Sequence, residues 1–136
     1  MREHKENDLY CLHYIQIYCE RILEYLDGIG HNRQLFMENK VIMDAVSMNL
    51  LQIGELAGRL SVEYRTATAD RMPWQQMKSM RNIFAHNYIH VQMDEVWNTA
   101  ENQIGKLLAF CTEQLSDSEL QAEVLSGFQN PDEIDL

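Results

Sequence analysis

The sequence predicts an all-α protein, a single-domain antiparallel bundle of four to five helices. Apolar residues recur at alternating steps of three and four positions along most of the chain, which is the spacing of amphipathic helices. Only six glycines and two prolines interrupt the 136 residues. No stretch shows the sustained alternation of apolar and polar residues that marks a half-buried strand. A chain of this length is long enough to bury one hydrophobic core without disulfide or metal staples.

The first predicted helix runs from Asp8 to Ile29, where the apolar residues form a single seam. Asp8 is of a residue type that caps helix starts, so we expect it to be the N-cap. Gly28 and Gly30 mark the end of this helix, because glycine is common just beyond a helix C-terminus.

The second predicted helix covers about 39–60 and repeats the same seam. Gly54 and Gly58 lie four residues apart inside it, where a neighbouring helix could approach closely. Charged and polar residues are interleaved with the apolar ones, so the pattern favours a soluble helix over a membrane dimer motif.

Two more helices follow, and a short segment comes after them. Pro73 suits the first turn of a third helix, and a fourth helix opens at Asp94 and continues to Leu115. The S-x-x-E sequence of 116–119 has the form of a capping box, and Gly127 can end the segment that it introduces. We therefore divide the chain into a helical domain, residues 1–128, and an acidic flexible tail, residues 129–136.

The net charge of −10 is distributed unevenly. Residues 1–106 hold all 11 Lys and Arg with 14 of the 21 acidic residues, a net charge of −3. Residues 107–136 hold seven acidic residues and no Lys or Arg, a net charge of −7. The acidity therefore belongs mainly to the C-terminal end, and the total charge neither demonstrates nor excludes an RNA substrate.

Composition excludes several classes of protein. No apolar run is long enough to span a bilayer, and the first residues lack a signal-peptide core. The three cysteines are odd in number and contain no C-x-x-C pair, which argues against a disulfide framework and a zinc ribbon. We expect a cytoplasmic protein with reduced thiols, no membrane partner and no cofactor.

Residues 80–88 contain the most informative cluster of polar side chains. Arg81 supplies a permanent cation with forked donors suited to phosphate. His86 can exchange a proton near neutral pH, and Tyr88 carries a hydroxyl. These residues could cleave a phosphodiester without a metal if the histidine took the proton of a ribose 2′-hydroxyl and the arginine stabilised the charged phosphate. The alternative is a surface arginine, a helix-terminal histidine and a half-buried tyrosine.

Helix geometry constrains this cluster. On a regular α-helix, five residues turn through about 500°, so Arg81 and His86 would lie roughly 140° apart around the axis. The helix must then break between them, or another subunit must complete the site.

The same segment resembles the HepT-like toxin family of the HEPN superfamily. Arg81 and His86 match the R-x(4–6)-H motif of that superfamily, and Tyr88 extends it to R-x4-H-x-Y. R-x4-H alone would be weak evidence, but further matches follow in the right order and spacing over about 8–115. These matches are I-G-E-L-A at 53–57, M-P-W at 72–74 and V-W at 96–97.

The resemblance implies a HEPN-like bundle that dimerises and brings two motif segments to a shared cleft. It implies a toxin that is a metal-independent endoribonuclease with tRNA or mRNA as substrate, encoded beside a minimal nucleotidyltransferase antitoxin. Carried over, Arg81 and His86 would be catalytic, and Tyr88 would accept AMP from the antitoxin. Asn82 would have a supporting role. The family pattern does not extend past Leu115.

Several alternatives stay open at this point. Glu55 is either a solvated face residue or a buried partner that supports Arg81. His86 and His90 are spaced like zinc ligands, but no third ligand accompanies them, so we predict no metal site. Cys19 and Cys111 occupy apolar seam positions and are expected in the core. The chain as a whole could instead be a non-catalytic helical module that binds a nucleotidyltransferase or a nucleotide, or a protein whose main event is modification at Tyr88.

Overall fold

A computed structural model describes residues 2–87 and 92–116, with residues 2–4, 80 and 82–87 described by their backbone alone. All regular secondary structure in these ranges is helical, which confirms the all-α prediction. The helices are α1 (Arg2–Gly28), α2 (Arg33–Glu38), α3 (Lys40–Arg59), α4 (Val62–Ala67), α5 (Trp74–Asn87), α6 (Met93–Asn102) and α7 (Ile104–Leu115). The predicted capping box, its segment and the acidic tail at 129–136 extend beyond the described residues.

The four predicted helices are present. In the described part of the chain, the short helices α2 and α4 and a break in the fourth predicted helix are features that the sequence pattern did not show. The fourth predicted helix is split at Gln103 into α6 and α7. The short helices α2 and α4 begin at side-chain caps, since Asn32 accepts a hydrogen bond from the backbone N–H of Leu35 and Ser61 accepts one from that of Tyr64. Helices of six residues are too short to display an apolar period, so caps alone mark them.

The expectation that Asp8 caps the first helix is wrong. Helix α1 begins at Arg2, and Asp8 lies inside it with only 6% of its surface exposed. Its carboxylate instead accepts hydrogen bonds from the backbone N–H and the hydroxyl of Ser61, each at 2.7 Å. Asp8 thus ties α1 to the start of α4, a contact between residues far apart in sequence. The predicted end of the helix is confirmed, because α1 ends at Gly28 and Gly30 has a left-handed φ of +62°.

The hydrophobic core lies where α1 packs between α3 and α7. Ile15 and Ile22 of α1 are fully buried, as are Cys19 of α1 and Cys111 of α7. Burial raises the pKa of the Cys111 thiol to about 12, so this cysteine remains a protonated apolar side chain. The prediction that Cys19 and Cys111 belong to the core is confirmed.

Helix α5 rests mainly on α3 and is anchored at its first residue. The Trp74 indole N–H donates a 2.8 Å hydrogen bond to the Thr68 hydroxyl. The Trp74 ring meets the edge of Phe110 in α7, with 5.7 Å between ring centroids. This anchor sets the position of the helix that carries the predicted motif. Within the described ranges, no helix has the length and apolar character needed to cross a membrane.

Candidate functional site

Arg81 of α5 is held by a carboxylate from α3. Its guanidinium Nε donates a hydrogen bond to Oε2 of Glu55 across 2.6 Å, and the two side chains are 40% and 36% exposed. Glu55 was predicted to be either a solvated face residue or a buried partner of Arg81. The structure shows that it is a partner of Arg81, with 36% of its side chain exposed. The bond joins two segments 26 residues apart and orients the guanidinium at the surface.

A glycine makes this contact between the helices possible. A Cβ atom added to Gly54 would lie 2.7 Å from the Arg81 Cβ and 2.8 Å from the carbonyl oxygen of Met77. Both atoms belong to or adjoin the backbone of α5, so no side-chain rotation could relieve the clash. The predicted close approach is confirmed at Gly54. At Gly58, an added Cβ would make only ordinary contact with the Lys78 side chain at 3.6 Å.

A second arginine adds positive charge to the site. The Arg59 guanidinium lies 3.9 Å from Oε1 of Glu55, one helical turn away on α3. Two guanidinium groups thus lie within 4 Å of one carboxylate. Such a cluster suits a phosphate group. Arg59 was not among the predicted site residues, although its spacing of four residues from Glu55 is a signal that the sequence carries.

Helix α5 continues without a break through Asn87. Positions 81 and 86 are therefore about 140° apart around one helix axis, and the predicted alternative of a break between them does not occur. Asn82 and His86 are among the residues that the structure describes by their backbone alone, and Tyr88 lies outside the described residues. The structure thus brings Arg81 and Glu55 together, and the catalytic role of Arg81 and the other three assignments stay predictions.

No group of three His, Cys, Asp or Glu residues that could hold a metal ion occurs in the part of the chain with described side chains. The His86 and His90 pair considered above lies outside that part.

Comparison with known proteins finds a matching family model and several similar proteins. A family model described as Ribonuclease HepT-like matches residues 15–114. That range includes Glu55, Arg81 and His86 and ends just before the C-terminal acidic segment. No solved structure matches the chain.

Three similar proteins are each named as a putative RNase. One from Methanocaldococcus jannaschii is 28% identical over 86 residues, which cover 63% of this chain and 76% of that protein. One from Caldanaerobacter subterraneus is 30% identical over 89 residues, covering 65% of this chain and 77% of that protein. A second from M. jannaschii is 30% identical over 98 residues, covering 68% and 80% of the two chains.

Proposed function

We propose that this chain, which belongs to the ribonuclease HepT-like family, is the toxin of a toxin–antitoxin pair and cleaves RNA internally without a metal ion. The observation that carries the proposal is the Arg81 guanidinium, held at 2.6 Å by Glu55 where Gly54 lets the two helices touch. A guanidinium fixed in this way is ready to bind a phosphate without first losing side-chain freedom.

In the proposed reaction, His86 takes the proton of a ribose 2′-hydroxyl, and the 2′-oxygen attacks the adjacent phosphorus. Arg81 stabilises the extra negative charge on the phosphate oxygens in the transition state. The bond from phosphorus to the 5′-oxygen then breaks, and that oxygen takes up a proton. The products are a 2′,3′-cyclic phosphate and a 5′-hydroxyl end. Glu55 positions Arg81, and Asn82 is assigned a supporting role next to it.

We also propose that the active form is a homodimer. A continuous α5 separates positions 81 and 86, so one chain does not present both from one face of the helix. Two exposed apolar residues of α3, Val41 and Met48, lie on the same face of the helix as Glu55, because the three follow each other at intervals of two turns. Val41 is 76% exposed and Met48 is 55% exposed, which favours a covered rather than a solvated surface.

The proposed regulator is a cognate nucleotidyltransferase that transfers AMP to Tyr88 in the cytoplasm. Tyr88 follows His86 by two residues. An AMP group would bring a negatively charged phosphodiester close to the position of the substrate phosphate, where it would compete for Arg81 and Arg59.

The test is cleavage of tRNA and mRNA by the purified chain in the presence of EDTA. We expect cyclic phosphate ends from the wild type, and loss of cleavage for Arg81→Ala and His86→Ala with unchanged circular dichroism. Arg33→Ala removes an exposed arginine elsewhere and should cleave normally. Cleavage by both motif variants, or dependence on added metal, would overturn the mechanism.

Modification needs a separate measurement. Co-expression with the neighbouring nucleotidyltransferase should add one or more AMP units to the wild type by intact-mass spectrometry, mapped to Tyr88. Tyr88→Phe should stay unmodified and toxic, because it retains the ring and lacks the acceptor hydroxyl. Equal neutralisation of this variant would favour inhibition by complex formation alone.

One observation favours a second candidate, a non-catalytic helical module that binds the nucleotidyltransferase or a nucleotide. The net charge of −10 opposes RNA affinity, which depends on phosphate neutralisation. Partner binding without RNA cleavage at any protein concentration would support this candidate.

A further inference from the structure

A groove of about 360 Å³ lies between α5 and the corner where α6 meets α7. This volume is within the range of roughly 300–1,000 Å³ found for small-molecule sites. Its floor is apolar and includes Ile53 of α3, Met77 of α5 and Leu107 of α7. All three floor residues are at least 91% buried, so the groove has a packed base. The groove is separate from the contact between Arg81 and Glu55.

The rim of the groove has a different chemistry from its floor. Four residues with amide side chains line it, one from α5 and three from α6 and the turn that follows; they are Gln76, Asn98, Asn102 and Gln103. One carboxylate, Glu95, joins them, and the described lining contains no Lys or Arg. Amides both donate and accept hydrogen bonds, whereas a phosphate would need a cation.

We propose that this groove binds a nucleobase, the base of a nucleotide adjacent to the phosphate at Arg81. The proposal rests on the proposed function, since it concerns the RNA strand that is cleaved. A nucleobase combines apolar faces, which fit the floor, with edges that donate and accept hydrogen bonds, which fit the amide rim. Proteins read unpaired RNA bases by such contacts to their edges. An apolar peptide side chain in the groove would cover the amides without offering them hydrogen-bond partners, which is unfavourable.

The position of the groove relative to Arg81 supports this assignment. Met77 lines the groove and Arg81 follows it by one turn of α5, a rise of about 6 Å along the axis. Both residues lie at the Gly54 contact, so the packing of α5 on α3 fixes where they lie relative to α3. We place the phosphate at the guanidinium and the adjacent base in the groove, one turn of α5 away.

The carboxylate gives the groove a preference among bases. A Glu95 carboxylate can only accept hydrogen bonds, so it favours a base with an exocyclic amino group. Adenine, cytosine and guanine carry such a donor, whereas the N3–H of uracil is flanked on both sides by carbonyl oxygens that a carboxylate repels. The strand that this protein cleaves should therefore carry an amino-bearing base beside the scissile phosphate.

The first experiment measures nucleoside binding to the full chain by calorimetry. Adenosine and cytidine should bind at least tenfold more tightly than uridine, and ribose 5-phosphate should not compete with them. Glu95→Gln should reduce the preference over uridine about tenfold. Gln76→Leu should weaken adenosine binding by a similar factor, whereas Gln75→Leu changes the adjacent exposed glutamine outside the groove and should have no effect.

The second experiment maps cleavage positions on an RNA of mixed sequence with the same variants. The wild type should cut beside amino-bearing bases, and Glu95→Gln should cut with a weaker preference. Gln75→Leu, outside the groove, should keep the wild-type rate and preference. Displacement of bound adenosine by ribose 5-phosphate, or equal effects of Gln76→Leu and Gln75→Leu, would overturn the inference. RNA cleavage without base preference or nucleoside binding would leave the ribonuclease function standing and refute the base site. Nucleoside binding with the expected pattern but no RNA cleavage would support the groove and refute the proposed function.

Discussion

The contact between α1 and α7 and the contact between α3 and α5 are built in opposite ways. The first is formed by large apolar side chains and buried cysteines, and Ile22, Cys19 and Cys111 expose none of their surface. The second depends on a residue without a side chain, Gly54, and on the Arg81–Glu55 pair, which stays more than one third exposed.

The difference separates stability from positioning. Burial of apolar surface contributes most of the free energy of folding, whereas an exposed ion pair contributes little. The α3–α5 contact therefore mainly determines where Arg81 lies. Changes in the α1–α7 contact should unfold the protein, and changes in the α3–α5 contact should inactivate it at a smaller cost in stability.

The largest effect on stability is expected for Ile22→Ala in the core. Removing a fully buried side chain leaves a cavity and should lower the free energy of unfolding by about 2–5 kcal/mol. Urea unfolding followed by circular dichroism measures this change. Val62→Ala, at a position that is 64% exposed, should change the same quantity by less than about 0.5 kcal/mol. Similar losses in the two variants would show that α1 is not the centre of the core.

A smaller loss of stability and a large loss of activity are expected for Gly54→Ala. The added Cβ would force α5 away from α3, which should cost about 1–3 kcal/mol and reduce RNA cleavage sharply. Gly58→Ala is the matched control on the same helix. It should leave cleavage intact and raise the free energy of unfolding by up to about 1 kcal/mol, because alanine favours helix over glycine. Normal cleavage by Gly54→Ala would disprove the need for close approach.

Glu55→Ala should separate the effect on stability from the effect on RNA cleavage more clearly. Because the pair is half-exposed, its loss should change the free energy of unfolding by less than about 1 kcal/mol. The Arg81 guanidinium would lose its orienting partner, so cleavage should fall about tenfold or more. The Nε–H resonance of Arg81 in NMR spectra should shift as the hydrogen bond is lost. Glu20→Ala removes an exposed carboxylate of α1 and should alter neither cleavage nor that resonance.

The smallest effect on stability is expected for His31, which joins the end of α1 to α6. Its ring nitrogens lie 2.8 Å from Glu101 and 2.6 Å from Asp27, and these hydrogen bonds raise the pKa of the imidazole. Two carboxylates can only accept, so both hydrogen bonds form fully when both ring nitrogens carry a proton, and they favour the charged ring. A raised pKa in the folded state stabilises the protein below the unfolded value of 6.5, and this contribution is lost as pH rises through the folded value.

His31→Asn tests this contact, because asparagine tolerates the left-handed φ of +54° at this position. The variant should be less stable than the wild type at pH 5.5, by less than about 1 kcal/mol since the side chain is 39% exposed. The difference should shrink by pH 8.5, with cleavage unchanged relative to folded protein. A difference that grows with pH would contradict the assigned charge.

The amino-acid pattern by itself determined the long helices and the family motif. Apolar steps of three and four residues predicted α1, α3 and α5, and Gly28, Gly30 and Gly54 were understood correctly because helix ends and close contacts both favour glycine. The helices and their ends depend on residues within one or two turns of each other, so local spacing is sufficient to predict them. Spacing did not distinguish Gly54 from Gly58, because the close contact at Gly54 is with Met77 and Arg81 of another helix.

Only the tertiary structure decided the role of Asp8, the choice of Glu55 as the partner of Arg81, and the groove beside α5. Asp8 bonds to Ser61, 53 residues away, and Glu55 bonds to Arg81, 26 residues away. The groove combines residues from α3, α5, α6 and α7. Helical periodicity shows which face of a helix is apolar, but not which other helix packs against it or at what height along the axis. Contacts between helices depend on that height, so they follow from the packing of the whole core.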